Sequence, residues 1–244
     1  GERGVMSILF QPIKTAACVN DTVIVGFSGG KDSICALDLC CRYFKTVHVY
    51  FMYLVPGLSF QEAQLRWYEQ RYGLQIHRVP HPMLSTWLRW GVFRKENFAI
   101  PEISFADVTH YLRVHFDAYW FAGGERIADS IVRRAMMKRS GSIDTTRGRF
   151  YPLAHWKKSD VVNYIKQKRL KMAPEYPVLG YSFRSLDPQD MVKIRQFYPE
   201  DFERIKRLFP FVEAGCVKYE IEKRDKENRS SEVCDGDLEA VTDP

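Results

Sequence analysis

Between Asp21 and Trp156 the sequence alternates apolar, β-branched runs with segments whose apolar residues recur at helical spacing, a pattern that few architectures satisfy. "DTVIVGF" (21–27), "TVHVYFMYL" (46–54), "LQIHRVP" (74–80) and "AYWFAGGE" (118–125) read as strands, and "RFYPLAHW" (149–156) as a short strand or turn. "DSICALDLCCRYF" (32–44), "SFQEAQLRWYEQRY" (59–72), "FADVTHYLRVHF" (105–116), "ADSIVRRAMMKR" (128–139) and "KKSDVVNYIKQKRL" (157–170) read as helices. Ser59, with Glu62 three residues on, predicts a capping box for the second of these. The alternation predicts an α/β fold, a doubly wound, mostly parallel sheet of Rossmann-like type. Right-handed crossovers gather the carboxyl ends of its strands on one edge, where ligands bind.

The remainder is divided by composition. "DPQDMVKIRQF" and "PEDFERIKRLF" open on Pro-acid starts and predict a small C-terminal helical extension. The expected division is a nucleotide-binding domain over residues 1–180, the extension over 181–216 and an acidic, disordered tail over 217–244. The formal charge of +6 is uneven: five basic and nine acidic residues from Lys218 to Asp243 leave +10 on the rest. A basic body of that size suits a polyanion, whether nucleotide or nucleic acid. No apolar run reaches membrane-spanning length, and the first residues lack a charged-then-apolar signal pattern, so a cytoplasmic protein is expected. The six cysteines show no C-x-x-C pair and read as reduced thiols, with Cys216 the first candidate for a reactive one. Residues 81–104, aromatic and flanked by proline, read as an aromatic-packed loop, with a lid, a partner surface or a base-stacking platform as functional readings.

The turn after the first strand, "SGGKDS" (28–33), carries the chemistry. Gly29 and Gly30 permit positive φ and close approach of a ligand. Successive backbone N–H groups form an anion nest, and a helix starting near Asp32 adds its positive end. Ser28 and Ser33 supply hydroxyls and Lys31 a full charge, which together describe a phosphate cradle. It is not the common P-loop, because only three residues separate Gly26 from Gly30 and Asp32, not Ser or Thr, follows the lysine. Asp32 either caps the helix or helps to hold Mg²⁺ beside the phosphates. A plain β–α turn with an aspartate cap is the competing structural reading.

These residues resemble the SGGxDS motif of the PP-loop superfamily, the adenine nucleotide α-hydrolase-like enzymes. Two later stretches resemble its phosphoadenosine phosphosulfate (PAPS) reductase-like branch. In "GGERIADSIVRR" (123–134), Gly124, Arg126, Ser130 and Arg133 fall on a G-x-R-x-x-x-S-x-x-R pattern. In "RFYPLAHWKKSDVVNYI" (149–165), Pro152, Leu153, Trp156, Asp160 and Tyr164 match a segment that packs the following helix, so Trp156 reads as core and His155 as structural. The resemblance covers roughly residues 20–170 and implies an adenine nucleotide, PAPS or ATP, along the strand ends. Ser28 to Ser33 and Gly124 would line its phosphates, and Arg126 and Arg133 would clamp a terminal phosphate or sulfate. The family's C-terminal Glu-Cys-Gly-Leu/Ile-His motif is replaced by "EAGCVKYE" (213–220), and the paired cysteines of the adenylylsulfate-reducing branch are missing, so no iron–sulfur cluster is expected.

Three readings follow. In the first, a PAPS reductase-like enzyme uses Lys31, Asp32 and a Cys216 thiolate, with thioredoxin or glutaredoxin as reductant. In the second, ATP is cleaved between its α- and β-phosphates, with Mg²⁺ at Asp32, and an acceptor such as nucleic acid is adenylated for sulfur modification. In the third, the chain is a nucleotide-binding regulator without chemistry. The partners expected are a small nucleotide, a redox protein or nucleic acid according to the reading, no membrane, and a homodimer among the assemblies considered.

Overall fold

The computed structural model describes residues 8–127, 131–132, 135, 138 and 141–236. Contacts divide the chain into two compact units, one of residues up to 86 together with 101–183, the other of 87–100 with 184 onward.

The first unit is a six-stranded sheet in the order β3-β2-β1-β4-β6-β5. Its strands are β1 Thr22–Gly26, β2 Thr46–Tyr53, β3 Ile76–Pro80, β4 Phe121–Ala122, β5 Ile143–Asp144 and β6 Arg149–Phe150. All neighbouring pairs are parallel except β5 with β6, so the expected mostly parallel sheet is found. Val23, Ile24 and Val25 of β1 are wholly buried, as a central parallel strand covered on both faces must be. Their alternation sorts the helices. Val23 and Val25 pack with α1 Gln11–Val19, α2 Lys31–Tyr43, α3 Ser59–Tyr72 and α6 Lys158–Lys168. Ile24 faces the other way, onto Val108 and Leu112 of α5 Phe105–Phe116. Helix α1 was not legible in the sequence, since its apolar stripe is only Ile13 and Ala16 deep.

The predicted capping box at Ser59 does not form: α3 is capped by Leu58 without a side-chain bond, and Glu62 instead pairs with Arg78 of β3 at 2.9 Å. The capping box occurs at α5, where the Ser104 Oγ accepts from the Asp107 N–H at 3.1 Å and the Asp107 carboxylate accepts from the Ser104 N–H at 2.7 Å. Helix α4 Pro82–Trp90 occupies part of the segment read as a loop. The short α7 Tyr176–Leu179 completes this unit.

The second unit is built on α8 Pro188–Phe197, α9 Pro199–Leu208 and α10 Val212–Gly236, the first two as predicted. Met191, Ile194, Phe202, Ile205, Phe209, Val212 and Cys216 are buried. Residues 87–100 join it: the Phe93 carbonyl accepts from the Phe211 N–H at 2.8 Å, and Trp87 meets Phe209 edge-on. The stretch read from its composition as a disordered tail is helical as far as Gly236.

Candidate active site

The Ser-Gly-Gly-Lys-Asp-Ser turn joins the carboxyl end of β1 to the first turn of α2. Gly29 has φ +78°, the left-handed region that an L side chain avoids, and a Cβ there would come within 2.6 Å of the Gln64 Oε1. The same Gln64 donates through Nε2 to the Gly29 carbonyl at 3.2 Å, so α3 braces the turn. Gly30 occupies the N-cap position of α2 without a side-chain cap. The Ser33 hydroxyl is turned inward: it donates to the Gly30 carbonyl at 2.8 Å and accepts from the Ser28 N–H at 3.1 Å. Ser33 therefore shapes the loop, and Ser28, whose Oγ lies 3.2 Å from the Ser33 Oγ, shares that bond.

Helix α2 begins at Lys31, so Asp32 sits inside its first turn and not at the cap. Its carboxylate is held from two sides, by the Arg126 Nε at 3.2 Å and the Lys31 Nζ at 3.9 Å. Arg126 is almost wholly buried, and it comes from the exit of β4, the strand beside β1. Gly124 lies against the same point, with a Cβ there 3.5 Å from the Ser33 nitrogen. Two stretches ninety residues apart in the chain thus meet at the helix terminus, as both motifs require. Ser130 and Arg133, the other two positions of the second motif, lie outside the described residues.

Beside this turn opens a cavity of about 430 Å³. Its lining is mixed, with Ser28, Asp32, Glu125 and Arg149 among the polar residues, Met52, Phe105 and Val108 among the apolar ones, and Tyr50 and His81 besides. Its size and mixed lining suit a nucleotide-sized ligand. Burial, offset in part by Arg149 and reinforced by the Glu125 charge, pushes the Tyr50 phenol up, so it stays a neutral donor. Burial likewise holds His81 below its ordinary 6.5. The sequence motifs singled out none of Tyr50, His81, Thr109, Glu125 or Arg149. The only signal for them is position: Tyr50 lies on β2 opposite Gly26, His81, Glu125 and Arg149 stand near the ends of β3, β4 and β6, and Thr109 lies on α5.

Cys216 is wholly buried on α10 in the second unit. Burial pushes its thiol up and outweighs the pull of Arg195, so the basic body does not supply the thiolate that its proposed attack needs. Trp156 is core, as expected, its indole N–H donating to the Leu9 carbonyl at 3.0 Å.

Residues 22–186 match the family model described as "Phosphoadenosine phosphosulfate reductase domain". The chain belongs to the phosphoadenosine phosphosulfate reductase domain family. Three solved structures similar to this chain all lie at low sequence identity. PAPS reductase from Candida auris, as a phosphate complex, matches with a TM-score of 0.52 at 13% identity, over 72% of this chain and 87% of that one. The U34-tRNA thiolase NcsA from Methanococcus maripaludis gives 0.48 at 14%, over 85% and 78%, and the NH3-dependent NAD synthetase from Campylobacter jejuni, with nitrate, 0.46 at 14%, over 88% and 93%. No curated protein sequence matches. Among the described residues no helix is long and apolar enough to cross a membrane.

One expectation is corrected by these matches. The expected absence of an iron–sulfur cluster is contradicted by one of them, since NcsA is described with its [4Fe-4S] cluster. A fold can gather cluster ligands from separate segments, so local spacing is a poor guide. Here Cys18, Cys35, Cys40, Cys41 and Cys216 are free thiols, and among the described residues no three ligating side chains gather at one point.

Proposed function

We propose that this member of the PAPS reductase family is an enzyme that binds an adenine nucleotide and acts at its 5′-phosphate end. The observation that carries the reading is the uncapped start of α2, with Asp32 held between Lys31 and Arg126, at the edge of a nucleotide-sized cavity. Phosphate oxygens would take N–H groups of the Gly29–Asp32 stretch and the Lys31 ammonium, and Arg126 would hold Asp32 in place or fork onto the outer phosphate. The base would lie among Tyr50, Met52, Phe105 and Val108. Ser130 and Arg133 are proposed as further phosphate contacts on the motif alone.

Two chemistries remain for this site. Reduction of a phosphosulfate needs a thiolate to take the sulfur and a thioredoxin or glutaredoxin to regenerate it. Family membership supports this chemistry, and the burial of Cys216 weighs against it. Cleavage of ATP needs none: an acceptor oxygen attacks the α-phosphorus, the α–β bridge breaks and pyrophosphate leaves. Mg²⁺ would be held by Asp32 and the phosphates, a donor set of the kind Mg²⁺ prefers, and would supply neutralisation of the leaving group. We take ATP cleavage as the reading the geometry favours, with a nucleic acid or another sulfur acceptor as partner.

The discriminating experiment offers the protein ATP with Mg²⁺, or PAPS with a reduced thioredoxin, and assays pyrophosphate and sulfite. Pyrophosphate from ATP that depends on an added acceptor supports the reading. Sulfite from PAPS that disappears in Cys216→Ser returns the reductase chemistry to first place.

A further inference from the structure

The stretch from Arg89 to Phe98 leaves the end of α4 and is closed into a loop, with the Asn97 N–H donating to the Arg89 carbonyl at 3.0 Å. Its backbone is fixed at costly points. Gly91 has φ +79°, and a Cβ there would come within 2.9 Å of the Arg94 carbonyl oxygen and the Glu96 nitrogen. Phe93 has φ +51°, a conformation that a bulky side chain keeps only when its surroundings hold it. Here they do. The Phe93 ring lies against Gly215 of α10, where a Cβ would come within 2.9 Å of it, and the Phe93 carbonyl accepts from the Phe211 N–H. The Arg94 Nη1 donates to the Leu208 carbonyl at 3.2 Å.

What this fixed loop presents is aromatic. Trp90 is 58% exposed and Phe98 56%, with ring centres 5.5 Å apart and planes at 80°. The Arg89 guanidinium lies over both rings, 5.8 Å from the Trp90 centre and 5.7 Å from that of Phe98. Its Nη1 donates to the Phe98 and Ile100 carbonyls at 2.6 and 2.8 Å, so the pair is held outward by bonds of its own. Three basic residues, Arg89, Arg94 and Lys95, against one acidic, Glu96, give the stretch a net charge of +2. Two rings exposed to this extent offer on the order of 200 Å². A stable protein interface takes about 800 Å² from each partner. The area suits stacked bases, and the cations beside it suit the phosphates that join them.

We propose that the Trp90–Phe98 pair is a docking platform for single-stranded nucleic acid, on which bases stack while the charges of Arg89 and Lys95 draw the backbone phosphates. A duplex suits it poorly, because its bases are already stacked on one another and show no free face to a protein ring. The proposal stands apart from the nucleotide reading of the Ser28–Ser33 turn, since none of these residues lines the cavity beside that turn.

The test is fluorescence anisotropy of labelled oligothymidylate and oligouridylate, about twelve nucleotides long, with the full chain. Trp90→Ala and Phe98→Ala should each weaken the wild-type affinity by about fivefold or more, as loss of one stacked base does. Trp90→Phe, which keeps a ring, should recover most of the loss. Lys95→Ala should lower the slope of log affinity against log salt by about 0.7, as loss of one phosphate contact does. A duplex of the same length should bind less tightly. Calorimetric titration of ATP should give the same constant in all these variants, so this proposal and the nucleotide reading fail separately. Binding of neither strand by the wild type overturns the proposal. So does strand binding that both alanine variants leave unchanged while melting as the wild type does, which would assign it to the charge of the body alone. A dimer in sedimentation that Trp90→Ala dissociates also overturns it, because a second copy of the chain then covers the pair.

Discussion

At the scale of single residues, the cradle depends on Gly29 and the core beneath it on Asp38. Gly29→Ala places a side chain at φ +78° and against Gln64, and should cost about 1–2 kcal/mol of stability, read by denaturant unfolding, together with weaker nucleotide binding. Asp38 is wholly buried on α2 and accepts from the Tyr72 hydroxyl at 2.5 Å, the Tyr164 hydroxyl at 2.6 Å and the Arg42 Nε at 2.6 Å. Burial alone would raise its carboxyl, but the bonds from Arg42, Tyr164 and Tyr72 win and hold it below the usual range. Asp38→Ala strands two phenols in the interior and should cost at least about 2 kcal/mol, visible as a lower melting temperature. The place of the Ser-Gly-Gly-Lys-Asp-Ser turn between β1 and α2 was legible because paired glycines directly after an apolar strand run and before a helical pattern mark a tight strand-to-helix turn. Glu125 was not, because nothing local distinguishes a glutamate that lines a cavity from one on the surface.

At the scale of elements, β2, β3 and α5 meet through a histidine–aromatic stack. The His77 ring lies 4.3 Å from His115 and 5.8 Å from Tyr111, and His48 lies 4.5 Å from Phe116. Burial first, and then the charge His115 would carry, hold His48 and His77 below 6.5. Between their folded values and 6.5 the unfolded chain binds protons that the fold refuses. Stability is therefore complete above about pH 6.5 and declines as pH falls through it. Melting temperatures across pH 7.5 to 5.5 should show the decline, and His115→Phe, which removes only the lesser cause, should lessen it in part. Strand β1 was legible in the sequence because a buried parallel strand is a continuous apolar run. The two-residue β4 and β6 were poorly bounded and β5 was missed, because two residues carry no period. The caps were misread at α3 for a related reason: Glu62 is recruited by Arg78 from a strand that sequence spacing does not bring near it.

At the scale of the molecule, the alternation of strands and helices predicted the α/β sheet, and the two units drew their members from separated parts of the chain. Residues 87–100 belong with the C-terminal helices, a grouping invisible to a reading along the chain. The cavity is likewise assembled from β1, β2, β4 and α5, so its apolar wall had no sequence signature. The central claim is that the Ser28–Ser33 turn binds the phosphates of an adenine nucleotide. The most direct measurement is calorimetric titration of ATP and Mg²⁺ into the wild type and into Lys31→Ala. The account predicts one saturable site whose affinity falls by about tenfold or more when the lysine charge is lost from the cradle. Absence of binding, or binding that Lys31→Ala leaves unchanged, would contradict it.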